Sequence, residues 1–232
     1  MTEQDKFLVK SQHPLTRYDL TTRKELVLRG LSALSEVRDA EFYYIKGTEH
    51  FHHSEYDSAI SYYEKALEID TKHTDSLVLR GCCYQEKGDY DKAISDYSKA
   101  IEIDPNDYYA HQNRGYLYTM KGEYDQAISD YSKLIEMFPS TSHYYDRGWT
   151  YYYMNDYDNA IQDLIKSINL DPNYNPPYYL LALCQERIGA YQSSLDNFEK
   201  YLCIVNREEP GYHKHITHAK DRIHKLKEML KK

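Results

Sequence analysis

No stretch of this 232-residue sequence approaches the ~18 consecutive apolar residues that a membrane span requires, so none is expected. Residues 1–21 are polar apart from Phe7-Leu8-Val9 and show neither a secretory apolar core nor a transit-peptide bias, which leaves a cytoplasmic location as the expectation. Cysteine is scarce. Cys82, Cys83, Cys184 and Cys203 have no metal or redox spacing, and they fit a reducing compartment in which cysteine serves as a small hydrophobe. A glycine-rich phosphate loop and a nucleophile elbow are both missing, and no Gly/Ser/Pro-rich linker breaks the chain.

An excess of positive charge is absent as well. Lys and Arg number 29 against 37 Asp and Glu, a formal net charge of −8. Residues 211–232 reverse this locally with seven Lys/Arg and two acids, so the body of the chain is acidic and its tail basic. Phosphate backbones are bound chiefly through Lys and Arg, so no nucleic-acid partner is expected. The basic tail reads as a solvated helix face in preference to a membrane or acidic-partner contact. His50 and His53 with Glu49, and His215 with His218, lie one helical turn apart, but each set lacks a third ligand and an enclosing loop. No metal, cofactor or catalytic residue is assigned, and the chain is expected not to be an enzyme.

What the chain does have is repetition. The segment 74–107 recurs at 108–140, aligning Gly81 with Gly115, Tyr84 with Tyr118, Gly88 with Gly122, Tyr90 with Tyr124, Ala93 with Ala127, Tyr97 with Tyr131 and Pro105 with Pro139. A period of 34 residues indicates a stacked array and not one globular core. Each unit holds two helical runs, about Leu77–Glu86 and Asp89–Ile103, separated by Lys87-Gly88. Ala93, Ile94, Tyr97, Ala100 and Ile101 form one apolar stripe on the second run, and Gly81, Ala93 and Ala100 are small where partner helices come closest. Tyr63, Tyr90, Tyr97, Tyr124 and Tyr131 are expected to be packing residues. Asp104-Pro105-Asn106 closes the second helix, since proline can neither continue it nor permit helical geometry before it.

The unit resembles the tetratricopeptide repeat: Leu77, where that family usually has Trp, is followed by Gly81, Tyr84, Ala93, Tyr97 and Pro105 at the family spacing. The resemblance implies an all-α, right-handed α-solenoid of five helical hairpins, with units at 40–73, 74–107, 108–140, 141–174 and 175–207. Thr71 replaces the closing proline in the first unit. Asn155 replaces glycine in the fourth, which asparagine tolerates because it enters left-handed geometry readily. The fifth is degenerate, with Ala182, Ser194, Tyr201 and Asn206 at signature positions. Capping helices are expected at 22–39, where Val27, Leu31 and Leu34 share a face, and within 208–232, where Ile216, Ala219, Ile223, Leu226 and Leu230 do so.

Family members expose six positions of each first helix toward a concave groove, and the carry-over to this sequence gives an aromatic, mildly acidic wall. The peptide-binding residues so implied are Tyr109, Gln112, Asn113, Tyr116, Tyr145, Asp146, Trp149, Tyr152, Tyr153, Tyr179 and Leu183, with the chain's single tryptophan in the middle. Glu186 and Arg187 also fall at groove positions of the fifth unit. The expected function is a non-catalytic scaffold or adaptor for a protein or peptide with apolar or aromatic anchors and basic flanks. The family's carboxylate clamp for chaperone tails is not expected, because its positions read Val78, Cys82, Asn113, Ser142 and Asp146 and supply no cation. The alternatives are a chaperone-type adaptor without that clamp and a self-associating homo-oligomer built through the terminal helices.

Overall fold

A computed structural model describes residues 39–205 and 210–231, and the expected helix at 22–39 therefore lies outside the described residues except for Asp39. These residues divide into two compact units, one ending at Arg114 and one beginning at Gly115. Every described element is helical. The first unit holds α1 (Ala40–His52), α2 (Tyr56–Ile69), α3 (Thr74–Glu86), α4 (Tyr90–Ile103) and the start of α5 (Tyr108–Lys121). The second holds the rest of α5, then α6 (Tyr124–Met137), α7 (Thr141–Met154), α8 (Tyr157–Leu170), α9 (Pro176–Arg187), α10 (Tyr191–Ile204) and α11 (His213–Met229). This is the all-α solenoid class expected from the repeat.

The hairpin turns share one backbone requirement, a left-handed residue between the two helices. Gly88, Gly122 and Gly189 have φ of +82°, +80° and +79°, and Asn155 takes the same geometry at 63°. In the first hairpin Ser54 does so at 59°. The second helices end in another recurring device, an aspartate whose carboxylate accepts the backbone N–H two residues on: Asp70 from Lys72 at 2.9 Å, Asp104 from Asn106 at 3.0 Å and Asp171 from Asn173 at 2.9 Å. Because Asp70 forms this turn by itself, the first unit closes without a proline.

Within the first four pairs the helices touch at the repeat glycine. A Cβ on Gly81 would lie 2.6 Å from Cε1 of Tyr97, and one on Gly47 2.6 Å from Cε1 of Tyr63. At Gly148 the partner is Leu164, 3.2 Å away, because the fourth unit has no tyrosine there. The rings are fixed at both ends. Tyr97 is fully buried, and its hydroxyl donates to Gln85 Oε1 at 3.2 Å and Cys82 Sγ at 3.4 Å, while the Tyr63 hydroxyl lies 3.3 Å from Thr48 Oγ1. Tyr131 is buried as expected, but Tyr90, placed among the packing residues, is exposed at the start of α4.

A second tie was not read from the sequence. Arg80 grips Asp96 through Nε–Oδ2 at 2.8 Å and Nη2–Oδ1 at 2.7 Å, and Arg147 grips Asp163 at 2.7 and 2.9 Å in the same way. Both carboxylates are buried, where a two-pronged guanidinium contact compensates the desolvated charge. Arg114 and Arg147 also reach back to the preceding hairpin, donating to Ser98 Oγ at 3.0 Å and Ser132 Oγ at 2.8 Å. Side chains near the start of first helices fasten to carbonyls closing the previous hairpin: His111 to Pro105, His143 to Phe138 and the Tyr178 hydroxyl to Pro172.

In the second unit α11 lays Ile216, Ala219 and Leu226 against Tyr179, Leu195, Phe198 and Tyr201, with Ile223 beside them. Leu230, expected on this stripe, is exposed, because the helix ends at Met229 and the residue falls past its last turn. Cys82, Cys83 and Cys184 are buried and Cys203 is exposed, all as free thiols.

Two outcomes follow from this packing. Gly81→Ala gains about 1 kcal/mol of helix propensity, but overpacking against the immobile Tyr97 ring costs about 1–3 kcal/mol. Chemical denaturation should show a net loss, and an unchanged or higher midpoint would contradict the close approach. His143 is buried with Nδ1 2.7 Å from the Phe138 carbonyl oxygen, and burial holds its imidazole below the ordinary pKa, a lowering only partly offset by that hydrogen bond. The unfolded chain then takes up the proton more readily, so this contribution is whole above about pH 6.5 and shrinks as pH falls below it. The urea midpoint should drop between pH 7 and pH 5, and drop less in His143→Asn.

Candidate functional site

The expected groove residues separate into three groups. In the first unit Tyr109 is half-buried, whereas Gln112 and Asn113 are buried, and Asn113 Nδ2 donates to Cys82 Sγ at 3.6 Å. That amide is engaged inside the protein. In the second unit Tyr116, Asp146, Tyr152, Tyr153 and Leu183 are partly accessible. Tyr145, Trp149 and Tyr179 are not, with 2%, 4% and 8% of their surface exposed.

These three rings were expected as solvent-facing anchors, and the structure corrects that. Trp149 and Tyr145 join Leu164, Leu180, Leu181 and Cys184 in one cluster, and Tyr153 meets the indole edge-on at a centroid distance of 4.7 Å. A large ring one residue after the repeat glycine leans sideways onto the next hairpin's first helix, so it fills the seam between hairpins. Tyr179 is covered by α11, packing on Phe198, Tyr201 and His215. Trp149→Ala should therefore destabilise the fold by about 3–5 kcal/mol, as for a core aromatic. Tyr145→Phe should be neutral or stabilising by up to about 1 kcal/mol, because its buried hydroxyl has no hydrogen-bond partner among the described residues. Thermal denaturation of the two variants separates core from anchor: a Trp149→Ala protein of native stability would reinstate the ring as a surface group.

The accessible remainder converges elsewhere. A half-open cleft of about 330 Å³ is lined by Tyr152 from α7, Leu183, Glu186 and Arg187 from α9, and His218 and Arg222 from α11. Both carboxylate oxygens of Glu186 are taken by Arg222, one by Nε at 2.9 Å and the other by Nη2. Burial raises the pKa of the Tyr152 hydroxyl, and the neighbouring Arg187 guanidinium opposes that rise. No carboxylate partner holds Arg187 among the described residues. His218 Nδ1 lies 2.8 Å from the Tyr179 hydroxyl. Desolvation lowers the pKa of its imidazole, Lys225 adds to the lowering and Asp221 opposes it.

Of this lining, Tyr152 and Leu183 belong to the expected site, and Glu186 and Arg187 fall at expected groove positions. His218 and Arg222 were missed. Their sequence signal is weak: two polar residues four apart, on the margin of the α11 stripe formed by Ile216, Ala219 and Ile223. Neither a grouping of three or more metal-ligating side chains nor a helix long and apolar enough to cross a membrane occurs among the described residues.

Comparison with known proteins agrees with the architecture. Tetratricopeptide-repeat families match residues 40–73, 74–107, 97–129 and 143–174. No curated protein sequence matches the chain. Among solved structures, a crystal structure of MamA protein is 26% identical, with coverage of 70% of this chain and 90% of that one and a TM-score of 0.67. A second MamA crystal structure is 26% identical, covering 67% and 92% at a TM-score of 0.65. The MamA 41-end structure from Desulfovibrio magneticus RS-1, 18% identical and covering 72% and 96% at a TM-score of 0.69, bears on the fold alone. Hairpins closed by left-handed turns, glycine set against a buried ring and family matches over about half the residues make one conclusion: the chain belongs to the tetratricopeptide repeat family.

Proposed function

We propose that this chain is a non-catalytic protein-interaction scaffold that docks a peptide segment of a partner in the cleft bounded by α7, α9 and α11. Its family membership supports the scaffold role, and one observation carries the choice of site. Of the expected groove residues in the second unit, the large rings at Tyr145, Trp149 and Tyr179 are committed to the core, while Tyr152 and Leu183 line an open concavity. A volume of about 330 Å³ accommodates one or two side chains, the scale of an anchor residue and not of a folded domain. The cleft offers an apolar wall in Leu183 and an aromatic, hydrogen-bonding edge in Tyr152, the combination that anchors peptides at interfaces.

Peptides selected from a random displayed library against the full chain test this. Enriched sequences should bind the Tyr152→Ala, Leu183→Ser double variant at least about 10-fold more weakly, the scale expected for loss of interface anchors. Circular dichroism should report an intact helical fold in that variant. Equal binding by the folded double variant would place the docking surface elsewhere.

A further inference from the structure

The lining of the cleft has a sign of charge opposite to that of the whole chain. The protein carries −8, and its groove positions read as mildly acidic, which pointed to a partner with basic flanks. Glu186 is the one acid lining the cleft among the described residues, and Arg222 occupies both of its oxygens. A lysine or arginine entering there would find no free carboxylate among the described lining residues and would face Arg187. An anionic group meets the reverse situation. Arg187 is exposed at the mouth beside Tyr152, without a carboxylate partner among the described residues, and presents a planar fork of N–H donors suited to a carboxylate. Arg222 adds guanidinium N–H groups beside it, and Lys214 and Lys225 share the exposed face of α11 with His218, where Asp221 is the opposing charge.

We propose that this cleft selects a carboxylate-bearing peptide segment, with an acidic side chain seated on Arg187 and a neighbouring apolar side chain against Leu183 and Tyr152. This rests on the docking reading above and fixes the partner's chemistry. It also reverses the charge expected from the sequence. The two arginines come from α9 and α11, so the site exists only while the tail helix is docked. Because one ionic contact is made at a solvent-open mouth, binding weakens as ionic strength rises.

Nuclear magnetic resonance of the full chain labelled with nitrogen-15 arginine reads the arginine Nε–H signals directly. The probes are a short flexible peptide with two glutamates and a leucine, the same peptide with glutamines, the same with lysines, and inorganic phosphate. The glutamate peptide should shift the Arg187 signal saturably. The glutamine peptide and the Arg187→Gln variant should each weaken binding roughly 10- to 100-fold, the range for a hydrogen bond to a charged group. Equal affinity for the glutamate and glutamine peptides, lost in Leu183→Ser, overturns the charge selectivity while leaving the docking reading intact. Tightest binding of the lysine peptide also overturns it, as does saturation by phosphate at the concentrations needed for the peptide. If no peptide perturbs any cleft residue, both readings fail.

Discussion

Where the first helix of a hairpin carries glycine, the partner helix presses a buried ring or leucine against bare backbone. At Gly47 and Gly81 there is no room even for a methyl group, and the ring in question is tethered through its hydroxyl as well as packed. Dispersion contacts at such range are many and overlap repulsion is steep, so this single approach sets the spacing of the pair and with it the positions of what the helices present. The alanines that follow, Ala59 and Ala66 or Ala93 and Ala100, are fully buried because the same closeness extends along the second helix. The left-handed turns at Ser54, Gly88, Gly122, Asn155 and Gly189 allow it by reversing the chain in the fewest residues.

Such close packing has a consequence for the aromatic content, 27 tyrosines against five phenylalanines. A tyrosine fills volume as phenylalanine does, yet burying its hydroxyl costs free energy wherever no partner meets it, as at Tyr145. Thr48 and Gln85 on the facing helices meet that need within hairpins, and the Tyr178 hydroxyl uses the Pro172 carbonyl to lock one hairpin onto the last. Rings that the repeat pattern assigns to an inner wall are drawn into the same economy. Trp149 and Tyr145 fill the seam between successive hairpins, and Tyr179 is sealed by α11. Accessible chemistry is then left at the margin, where the side chains of α7, α9 and α11 end around a cleft.

Much of this was legible in advance because it is local or periodic. The 34-residue recurrence gave the helical hairpins, and the Lys-Gly and Asn turns gave the reversals. Illegible was what depended on one side chain choosing among neighbours. Arg80 and Asp96 stand sixteen residues apart, and nothing in their spacing distinguishes a buried pair from two solvated charges. Trp149 occupies a position from which a ring can extend outward or lean onto the next hairpin, and its rotamer is set by the room between α7 and α9. Asn113 is a groove asparagine by register and a core amide by contact, since the Cys82 thiol lies within its reach.

The sequence by itself determined the helical hairpins, their order and the family, because repetition at fixed spacing leaves one way to bury each apolar stripe. Tertiary structure alone decided the character of the site. Whether an aromatic ring is anchor or core, and whether a cleft is acidic or basic, depends on which charges are neutralised by partners distant in sequence. Arg222 and Glu186 are 36 positions apart, and their pairing leaves Arg187 in the same cleft without a carboxylate partner among the described residues. Net charge adds contributions over the whole chain, whereas a ligand meets the few groups within about one Debye length of its seat.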